Sequence, residues 1–405
     1  MPRPPVSLPS FLAQAKHALH DAIRNRLPIT FVIGNESADL DSLCSAVILA
    51  YLRSQSSPAG SLYIPLSNLP RADLDIRPEL IPVLSHANLQ PSDLLTLSDL
   101  PPLRAIASKL PPENTRWILV DHNAMRGELS KIYGKRLVGC VDHHAEENAV
   151  PKDCGDEPRI VKKCGSCTTL VVEYCKDAWN KLAKESHEDV DGFSRELAQV
   201  ALGPILIDTS NLGNKAETTS TDSDVVDYLE SWIKSQPGSK YGRDAYYNIV
   251  SEAKQDIGGL SLPDILRKDY KQYGEEGSIV LGIASAVRGM QFLIDKAGSK
   301  EKFVEVLEEF AKERGLSILS LMTKTTVQDG FARELLVWSI DEKGIVAARK
   351  FEADSTETLD LKEWEKGSLD IDDKGRWLRC WWQERVENSR KQVAPLMRAA
   401  IGDVE

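Results

Sequence analysis

Short apolar runs alternate with longer amphipathic stretches in the first half of the chain. The apolar runs predict four β-strands, at Ile29–Ile33, Leu62–Ile64, Trp117–Val120 and Leu137–Val141. Helical periodicity marks three segments, at Ser42–Leu52, Cys167–Ala183 and Arg195–Ile207. Such alternation is typical of a parallel sheet covered by helices. We therefore predict an α/β fold in which residues 28–235 form a parallel-sheet domain.

The second half of the chain carries a different sequence of elements. Strand-like runs occur at Ile279–Ile283, Ser317–Met322, Glu334–Ser339 and Ile345–Lys350. Helices are predicted at Glu301–Glu313 and from about Asn388 onward. The stretch Gly213–Lys240 is rich in Thr, Ser, Asp and Gly, which is typical of a domain junction. We expect residues 241–405 to form a second, smaller α/β domain.

Length and composition are those of a soluble two-domain protein. At 405 residues the chain exceeds the about 100–200 residues of an ordinary single domain. Hydrophobic residues make up 42% and charged residues 27%, and no apolar run approaches the roughly 18 residues of a membrane helix. The first residues lack the continuous apolar region of a secretion signal, and seven cysteines are too few and odd for a disulfide framework. We expect a cytoplasmic monomer without membrane association.

The formal net charge of −11 limits the possible partners. Nucleic-acid-binding proteins usually carry a basic face that displaces counterions from phosphates, so nucleic acid is not an expected partner. An anionic substrate must therefore meet positive charge locally. Bound cations and a few well-placed Lys or Arg residues could supply that charge within an acidic protein.

Polar segments rich in metal-binding side chains occur at four places, three of them directly after predicted strands. They contain Asn35, Asp39 and Asp41; Asp121; Asp142, His143 and His144; and Asp208. Because open α/β sheets bind ligands at the carboxyl ends of their strands, we expect these side chains to converge. Several carboxylates can share a site only if cations neutralise them. Oxygen-rich ligands with one or two imidazoles favour Mg²⁺ or Mn²⁺, with Co²⁺ possible.

Two divalent cations close together would activate a shared water and hold phosphate oxygens for in-line attack. The alternative for any single aspartate is a helix N-cap or a turn residue, and Asp39 and Asp41 precede a predicted helix. Capping does not explain why Asp-His-Asn and Asp-His-His both follow strands. These motifs favour a phosphohydrolase.

At these residues the sequence resembles the DHH phosphoesterase superfamily, in the branch of family II inorganic pyrophosphatases, prune-type phosphatases and fungal exopolyphosphatases. The segment Ser389–Pro395 resembles the phosphate-binding motif of that branch's second domain, and Lys268–Lys271 resembles its Asp-x-Lys segment. The nucleases of the superfamily carry a glycine-rich motif ending in histidine, whereas Gly258 and Gly259 are followed here by Leu260. The resemblance implies a DHH metal-binding domain, a DHH-associated substrate-binding domain and an active site in the cleft between them.

The resemblance also implies roles for individual residues. Asp39 and Asp121 would hold one cation, and Asp41, Asp121, His143 and Asp208 the other. Four residues would bind substrate phosphate: His144, Lys271, Arg390 and, as a further candidate, Lys391. Asp121, His143, His144 and Asn35 would thus form the catalytic group.

The residue type at position 35 distinguishes two branches of the family. The pyrophosphatases have histidine at this position, and the fungal exopolyphosphatases resemble this chain in having asparagine. The resemblance implies an exopolyphosphatase that releases terminal orthophosphate from inorganic polyphosphate. Two alternatives stay open: a pyrophosphatase or prune-type enzyme acting on short chains or nucleoside polyphosphates, and a non-catalytic relative that binds a protein. Asn35 either binds a cation or only donates hydrogen bonds.

Overall fold

The chain forms two compact units, Met1–Lys254 and Gln255–Glu405. The computed structural model describes residues 5–56, 61–185, 190–234, 240–274, 277–327, 330–373 and 375–404. None of the helices within these ranges has the length and apolarity needed to cross a bilayer.

The first unit is built on a five-stranded parallel sheet. Its strands are β1 (Ile29–Ile33), β2 (Tyr63–Leu66), β3 (Thr115–Val120), β4 (Leu137–Asp142) and β5 (Arg159–Val161). Its helices are α1 (Leu8–Asn25), α2 (Leu40–Ser56), α3 (Leu80–Ser85), α4 (Leu103–Lys109), α5 (Gly127–Tyr133), α6 (Cys167–Glu185), α7 (Val190–Asp208), α8 (Ser220–Lys234) and α9 (Arg243–Gln255). The strand order is β2-β1-β3-β4-β5, and every pair is parallel. All carboxyl ends therefore lie at one edge of the sheet.

Helix α2 is the central helix of this unit. Its residues from Leu40 to Leu52 are all buried, and it packs against β1, α6 and α7. A helix that is buried on all sides is expected where other elements cover every face. Gly34 permits its close approach to β1, because a Cβ at this position would lie 2.7 Å from the Cβ of Ser42 and 3.0 Å from its carbonyl oxygen. The first turn of α2 is thereby held against the end of β1.

The second unit contains a mostly antiparallel sheet with helices on both faces. Its strands are β6 (Tyr270–Tyr273), β7 (Leu281–Ala286), β8 (Ile318–Val327), β9 (Gly330–Ser339), β10 (Leu361–Glu363), β11 (Ile371–Asp373) and β12 (Arg376–Gln383). Its helices are α10 (Leu262–Lys268), α11 (Met290–Ala297), α12 (Lys300–Glu313), α13 (Glu342–Leu359) and α14 (Arg390–Gly402). The order is β10-β12-β9-β8-β7-β6 with β11 beside β12, and only β7 and β8 run parallel.

Alternate residues of the central strands divide the interior of the second unit into two cores. Leu336 and Trp338 of β9 face the core that contains Phe303 of α12. Leu335 and Val337 face the other core, which contains Phe351 of α13. Period-two alternation is expected of a sheet covered on both sides.

Most predicted elements are confirmed, with ends shifted by a few residues. The exception is Ile345–Lys350, which was predicted as a strand and lies inside helix α13. The prediction was wrong because Ala347, Ala348 and Phe351 are buried at helical spacing, and Asp341 caps the helix by accepting a hydrogen bond from the Gly344 amide at 2.7 Å.

The polar stretch expected to join the domains contains helix α8. Val225, Val226, Leu229 and Ile233 form its buried face, and the Ser and Asp residues lie mainly on the remaining surface. The two compact units divide after Lys254, beyond this helix and near the end of α9.

Candidate metal centre

Asp121 lies at the centre of the polar cluster at the carboxyl edge of the parallel sheet. It directly follows β3, is 2% exposed and has a φ of 62°, in the left-handed region that aspartate adopts more readily than most residues. The Asp121 Oδ1 atom lies 3.1 Å from Nε2 of His143 and 3.7 Å from Nδ1 of His144. Asp121, His143 and His144 thus offer three ligand atoms within 4.8 Å of one another. This group can hold a metal ion.

The second carboxylate oxygen of Asp121, Oδ2, accepts hydrogen bonds from one residue just after β1 and one residue in the first turn of α2. The Asn35 side-chain amide donates to Oδ2 at 2.7 Å and to the Asp121 carbonyl at 3.1 Å. The Ser42 hydroxyl donates to the same Oδ2 at 2.7 Å. Oδ2 is therefore occupied, and Oδ1 faces the two histidines.

The beginning of helix α6 binds the carboxylate of Asp41. The backbone amides of Cys167 and Thr168 donate to Asp41 at 2.7 and 2.9 Å, and the hydroxyls of Ser166 and Thr168 donate at 2.8 and 2.7 Å. A helix N-terminus stabilises an anion through its free amides and its dipole. Asp41 also lies 3.9 Å from Nε2 of His143. It is a member of the centre rather than a cap of its own helix.

Asp39 does have the contact of a capping residue. Its Oδ1 accepts a hydrogen bond from the Ser42 amide at 3.1 Å, three residues further along α2. Capping and metal binding are compatible because a carboxylate has two oxygens. Its charge reaches the centre, since it contributes to raising the pKa values of Asp121 and Asp208.

Burial and neighbouring carboxylates raise the pKa values of Asp121 and Asp208. Burial, followed by the charges of Asp39 and Asp41, raises the pKa of Asp121 to about 7, against the opposing effect of His143. Burial and the charge of Asp41 raise the pKa of Asp208, the last residue of α7, well above its usual range. A helix C-terminus gives an anion no help. The centre is thus electrostatically unfavourable without added positive charge.

Both histidines are oriented by hydrogen bonds at Nδ1. His143 Nδ1 lies 3.1 Å from the Cys164 carbonyl, and His144 Nδ1 lies 2.8 Å from Oδ1 of Asp142. A proton on His143 Nδ1 leaves Nε2 available to a cation, an arrangement common among metal-binding histidines.

Asp142 contacts the two histidines of the centre through hydrogen bonds. Burial acts to raise its pKa, but hydrogen bonding from His144, the charge of that imidazole and a hydrogen bond from Asn123 outweigh burial, and the pKa is lowered. It also accepts the backbone amides of His143 and His144 at 2.8 and 3.2 Å. Asp142 therefore positions the two histidines.

The donor set suits a hard divalent cation. The grouped atoms are carboxylate oxygens and imidazole nitrogens, which Mg²⁺ and Mn²⁺ accept. The adjacent thiol of Cys167 donates to the Val141 carbonyl at 3.2 Å, and burial raises its pKa well above the usual range. A protonated thiol is a poor metal ligand, so a thiolate site is not supported.

Several residues of the centre were not identified from the sequence. Ser42, Ser166, Thr168 and Asn123 donate hydrogen bonds to its carboxylates. Ser42 and Asn123 belong to segments that carry the acidic motifs, so their proximity was a usable signal. The sequence carried no signal for Arg77, because this residue lies in an irregular segment far from those motifs.

Arg77 supports the loop between β1 and α2 and is only 3% exposed. Its guanidinium donates to the Ser37 carbonyl, the Ser37 amide donates to Oδ1 of Asn35 at 2.8 Å, and Asn35 in turn donates to Asp121. This chain of hydrogen bonds connects a buried cation to the orientation of Asp121.

The remaining predicted site residues lie in the second unit. Lys271 is on β6, and Arg390 and Lys391 begin α14. Arg390 forms an ion pair with Asp269 at 2.7 Å and donates to its carbonyl oxygen at 3.2 Å. Asp269 immediately precedes β6, so this contact brings the start of α14 to the strand that carries Lys271. Their roles in phosphate binding stay a prediction.

A parallel sheet whose strand ends carry this acidic centre is the arrangement expected of a metal-dependent phosphoesterase. The model of the DHH family, N-terminal domain, matches residues 29–205, and that of the DHHA2 domain matches residues 249–400. A protein of Schizosaccharomyces pombe, named "Putative exopolyphosphatase", is 32% identical over 98% of this chain and 99% of its own length. The chain belongs to the DHH phosphoesterase family.

Animal and archaeal relatives match as well. Human "Exopolyphosphatase PRUNE1" is 27% identical over 75% of this chain and 61% of its own length. A "Manganese-dependent inorganic pyrophosphatase" of Methanocaldococcus jannaschii is 24% identical over 74% of this chain and 84% of its own length. The crystal structure of a "Methanococcus jannaschii putative family II inorganic pyrophosphatase" covers 92% of this chain and 100% of its own, with 20% identity and a TM-score of 0.58. This last similarity supports the fold.

Replacing Asp121 by asparagine should stabilise the metal-free protein at high pH. The folded pKa of about 7 exceeds the roughly 3.9 of a free aspartate, so this carboxyl's contribution to stability is fully present below pH ~4 and is lost as pH rises through 7. The advantage in melting temperature of Asp121→Asn should therefore grow between pH 4.5 and 8.5 in EDTA. Exposed Asp21→Asn is the control, and a difference independent of pH would contradict the prediction.

Replacing Arg77 by methionine should weaken metal binding although Arg77 is not a ligand. Loss of the contact to Ser37 frees Asn35 and hence Asp121, and supporting residues of this kind typically change metal affinity by about 10–100-fold. Mn²⁺ titration followed by electron paramagnetic resonance measures the affinity. Arg104→Met on the exposed side of α4 should bind like the wild type. An unchanged affinity in a folded Arg77→Met variant would refute the prediction.

Proposed function

We propose that this protein is an exopolyphosphatase that hydrolyses terminal phosphoanhydride bonds of inorganic polyphosphate with the help of two divalent cations. The observation that carries the proposal is the group formed by Asp121, His143 and His144 at strand ends, where burial and neighbouring carboxylates raise the pKa values of Asp121 and Asp208. Such a site favours bound cations.

We assign the cation ligands as the family resemblance implies. Asp39 and Asp121 would hold one cation, and Asp41, Asp121, His143 and Asp208 would hold the other. Mg²⁺ or Mn²⁺ fits these ligands, Co²⁺ is a further candidate, and the manganese-dependent relative is consistent with Mn²⁺. When bound, the two cations supply an activated water and hold phosphate oxygens.

The chain's own residues orient the reacting groups. Asp142 holds His144 through Nδ1, which leaves Nε2 as the atom that would contact a substrate phosphate. Asn35 uses its nitrogen for Asp121 and its oxygen for the Ser37 amide. This pairing supports the hydrogen-bonding alternative for Asn35 over direct cation binding.

Lys271, Arg390 and Lys391 would bind the phosphate chain. Arg390 and Lys391 occupy the first turn of the 13-residue helix α14, where backbone amides and the helix dipole also favour anions. Arginine and lysine in such a position stabilise the negative charge that develops on a departing phosphate group.

The fungal relative and Asn35 favour polyphosphate as substrate. The relative named an exopolyphosphatase covers nearly the whole chain at 32% identity. The alternative is activity on pyrophosphate or other short substrates, which the manganese-dependent pyrophosphatase relative supports. We also infer a cytosolic location, supported by seven free cysteines, because free thiols are usual in a reducing compartment.

The proposal predicts phosphate release from long polyphosphate in preference to pyrophosphate. Initial rates with Mg²⁺ or Mn²⁺ should be compared for long chains, tripolyphosphate and pyrophosphate, using the wild type and Asn35→His. The histidine variant should shift toward pyrophosphate, because its ring replaces an amide that orients Asp121. Asp121→Ala controls for contaminating phosphatases and should lose at least about 10²-fold in rate. Dominant pyrophosphate hydrolysis by the wild type would instead favour the alternative.

A further inference from the structure

A cavity of about 230 Å³ lies in the first unit between α3, α7 and α9. Its lining includes His86, Arg195, Gln199, Lys240, Tyr241 and Tyr246, and we call it the Gln199 pocket. Arg195 and Gln199 are one turn apart on α7 and therefore share a face of that helix. The same helix ends at Asp208, nine residues beyond Gln199 and about 14 Å away along the helix axis. The pocket is thus separate from the metal centre.

The charged groups of the pocket are all basic. Arg195 and Lys240 form no ion pair or hydrogen bond with other residues in the described part of the chain, and the lining contains no carboxylate. Both residues are exposed where they line the cavity, so their charge is open to a dissolved anion. His86 already contacts the Pro82 carbonyl through Nδ1 at 2.6 Å.

A buried carboxylate that Tyr241 of the pocket contacts is already neutralised. Glu230 receives Arg243 at 2.7 and 2.9 Å, Lys234 at 2.6 Å and the Tyr241 hydroxyl at 3.0 Å. It therefore has no capacity left to pair with the pocket cations. The positive charge of Arg195 and Lys240 stays available to a ligand.

Gln199 provides an independent indication of a ligand. The residue is 5% exposed and lines the pocket, yet among the described residues nothing hydrogen-bonds its side-chain amide. The side chain is nearly buried, but its amide atoms are not sealed from solvent, so the amide reaches the open space of the pocket. Its backbone is held in place, because the Tyr246 hydroxyl donates to the Gln199 carbonyl at 2.7 Å. The backbone that carries the side chain is therefore held in position. The amide nitrogen is left as an unused hydrogen-bond donor, and the amide oxygen as an unused acceptor.

We propose that the Gln199 pocket binds a phosphate-class oxyanion, either free orthophosphate or the terminal group of a phosphate chain. Arg195 and Lys240 donate charge-assisted hydrogen bonds to its oxygens, and the Gln199 amide nitrogen donates a further one. The amide oxygen accepts a hydrogen bond from a P–OH group. Sulfate carries no such proton at neutral pH, so the pocket favours phosphate over sulfate. Binding here needs neither the cations nor the hydrolysis of the proposed function.

Phosphate titration by calorimetry in EDTA tests this proposal on the full chain. Wild-type protein should bind phosphate more tightly than sulfate. Arg195→Ala and Gln199→Met should each weaken phosphate binding by about tenfold, since each removes one strong hydrogen bond. Lys109→Ala, which removes a basic side chain elsewhere on the surface, should leave phosphate affinity unchanged. Melting temperatures confirm that each variant is folded.

Further variants separate this pocket from the proposed catalytic function. Arg390→Ala alters the proposed substrate contact in the second unit and should keep the EDTA-independent phosphate binding. Absence of binding in the wild type, or loss in Arg390→Ala with none in Arg195→Ala, would overturn the proposal. Titration with tripolyphosphate identifies which of the two ligands the pocket prefers. Tighter binding than orthophosphate indicates the end of a phosphate chain, and weaker binding indicates the free ion. Both outcomes support an oxyanion site in the Gln199 pocket.

Discussion

Repulsion among buried carboxylates is the constraint on which the first unit depends. Burial, followed by the charges of Asp39 and Asp41, raises the pKa of Asp121, and burial followed by the charge of Asp41 raises that of Asp208. The fold offsets part of this cost with fixed donors: the start of α6 for Asp41, and Asn35 with Ser42 for Asp121. Asp208 receives no comparable support in the described part of the chain. Divalent cations would neutralise the negative charge that these donors leave uncompensated.

The parallel sheet makes this concentration of charge geometrically possible. Its strand ends meet at one edge, so residues far apart in sequence come together after β1, β3 and β4. Close packing then fixes their positions, since Gly34 lets the first turn of α2 approach β1 closely enough for Ser42 to reach Asp121. The same packing transmits the orientation set by Arg77 through Ser37 and Asn35. Changes behind the centre should therefore affect its chemistry as strongly as changes within it.

Three of the four acidic segments were identifiable because each directly follows a predicted strand, whereas Asp208 lies at the end of helix α7. Ile29–Ile33 was predicted with the observed bounds, and the positions of Asn35 and Asp121 follow from strand ends alone. Arg77 was not predictable, since its contact depends on the path of an irregular loop. Helix α13 was missed because Ile345–Lys350 is apolar enough to resemble a strand over six residues, and only the longer pattern to Phe351 reveals helical spacing. Short apolar runs carry this ambiguity.

Anomalous diffraction from crystals grown with Mn²⁺ tests the central claim, a two-cation centre organised by Asp121, most directly. We predict two manganese peaks roughly 3.5–4 Å apart, both in contact with Asp121, and neither present in Asp121→Ala crystals. A single peak, or two peaks that do not share Asp121, would contradict the claim. It would then follow that the raised pKa of Asp121 reflects burial among acids without a bridging role.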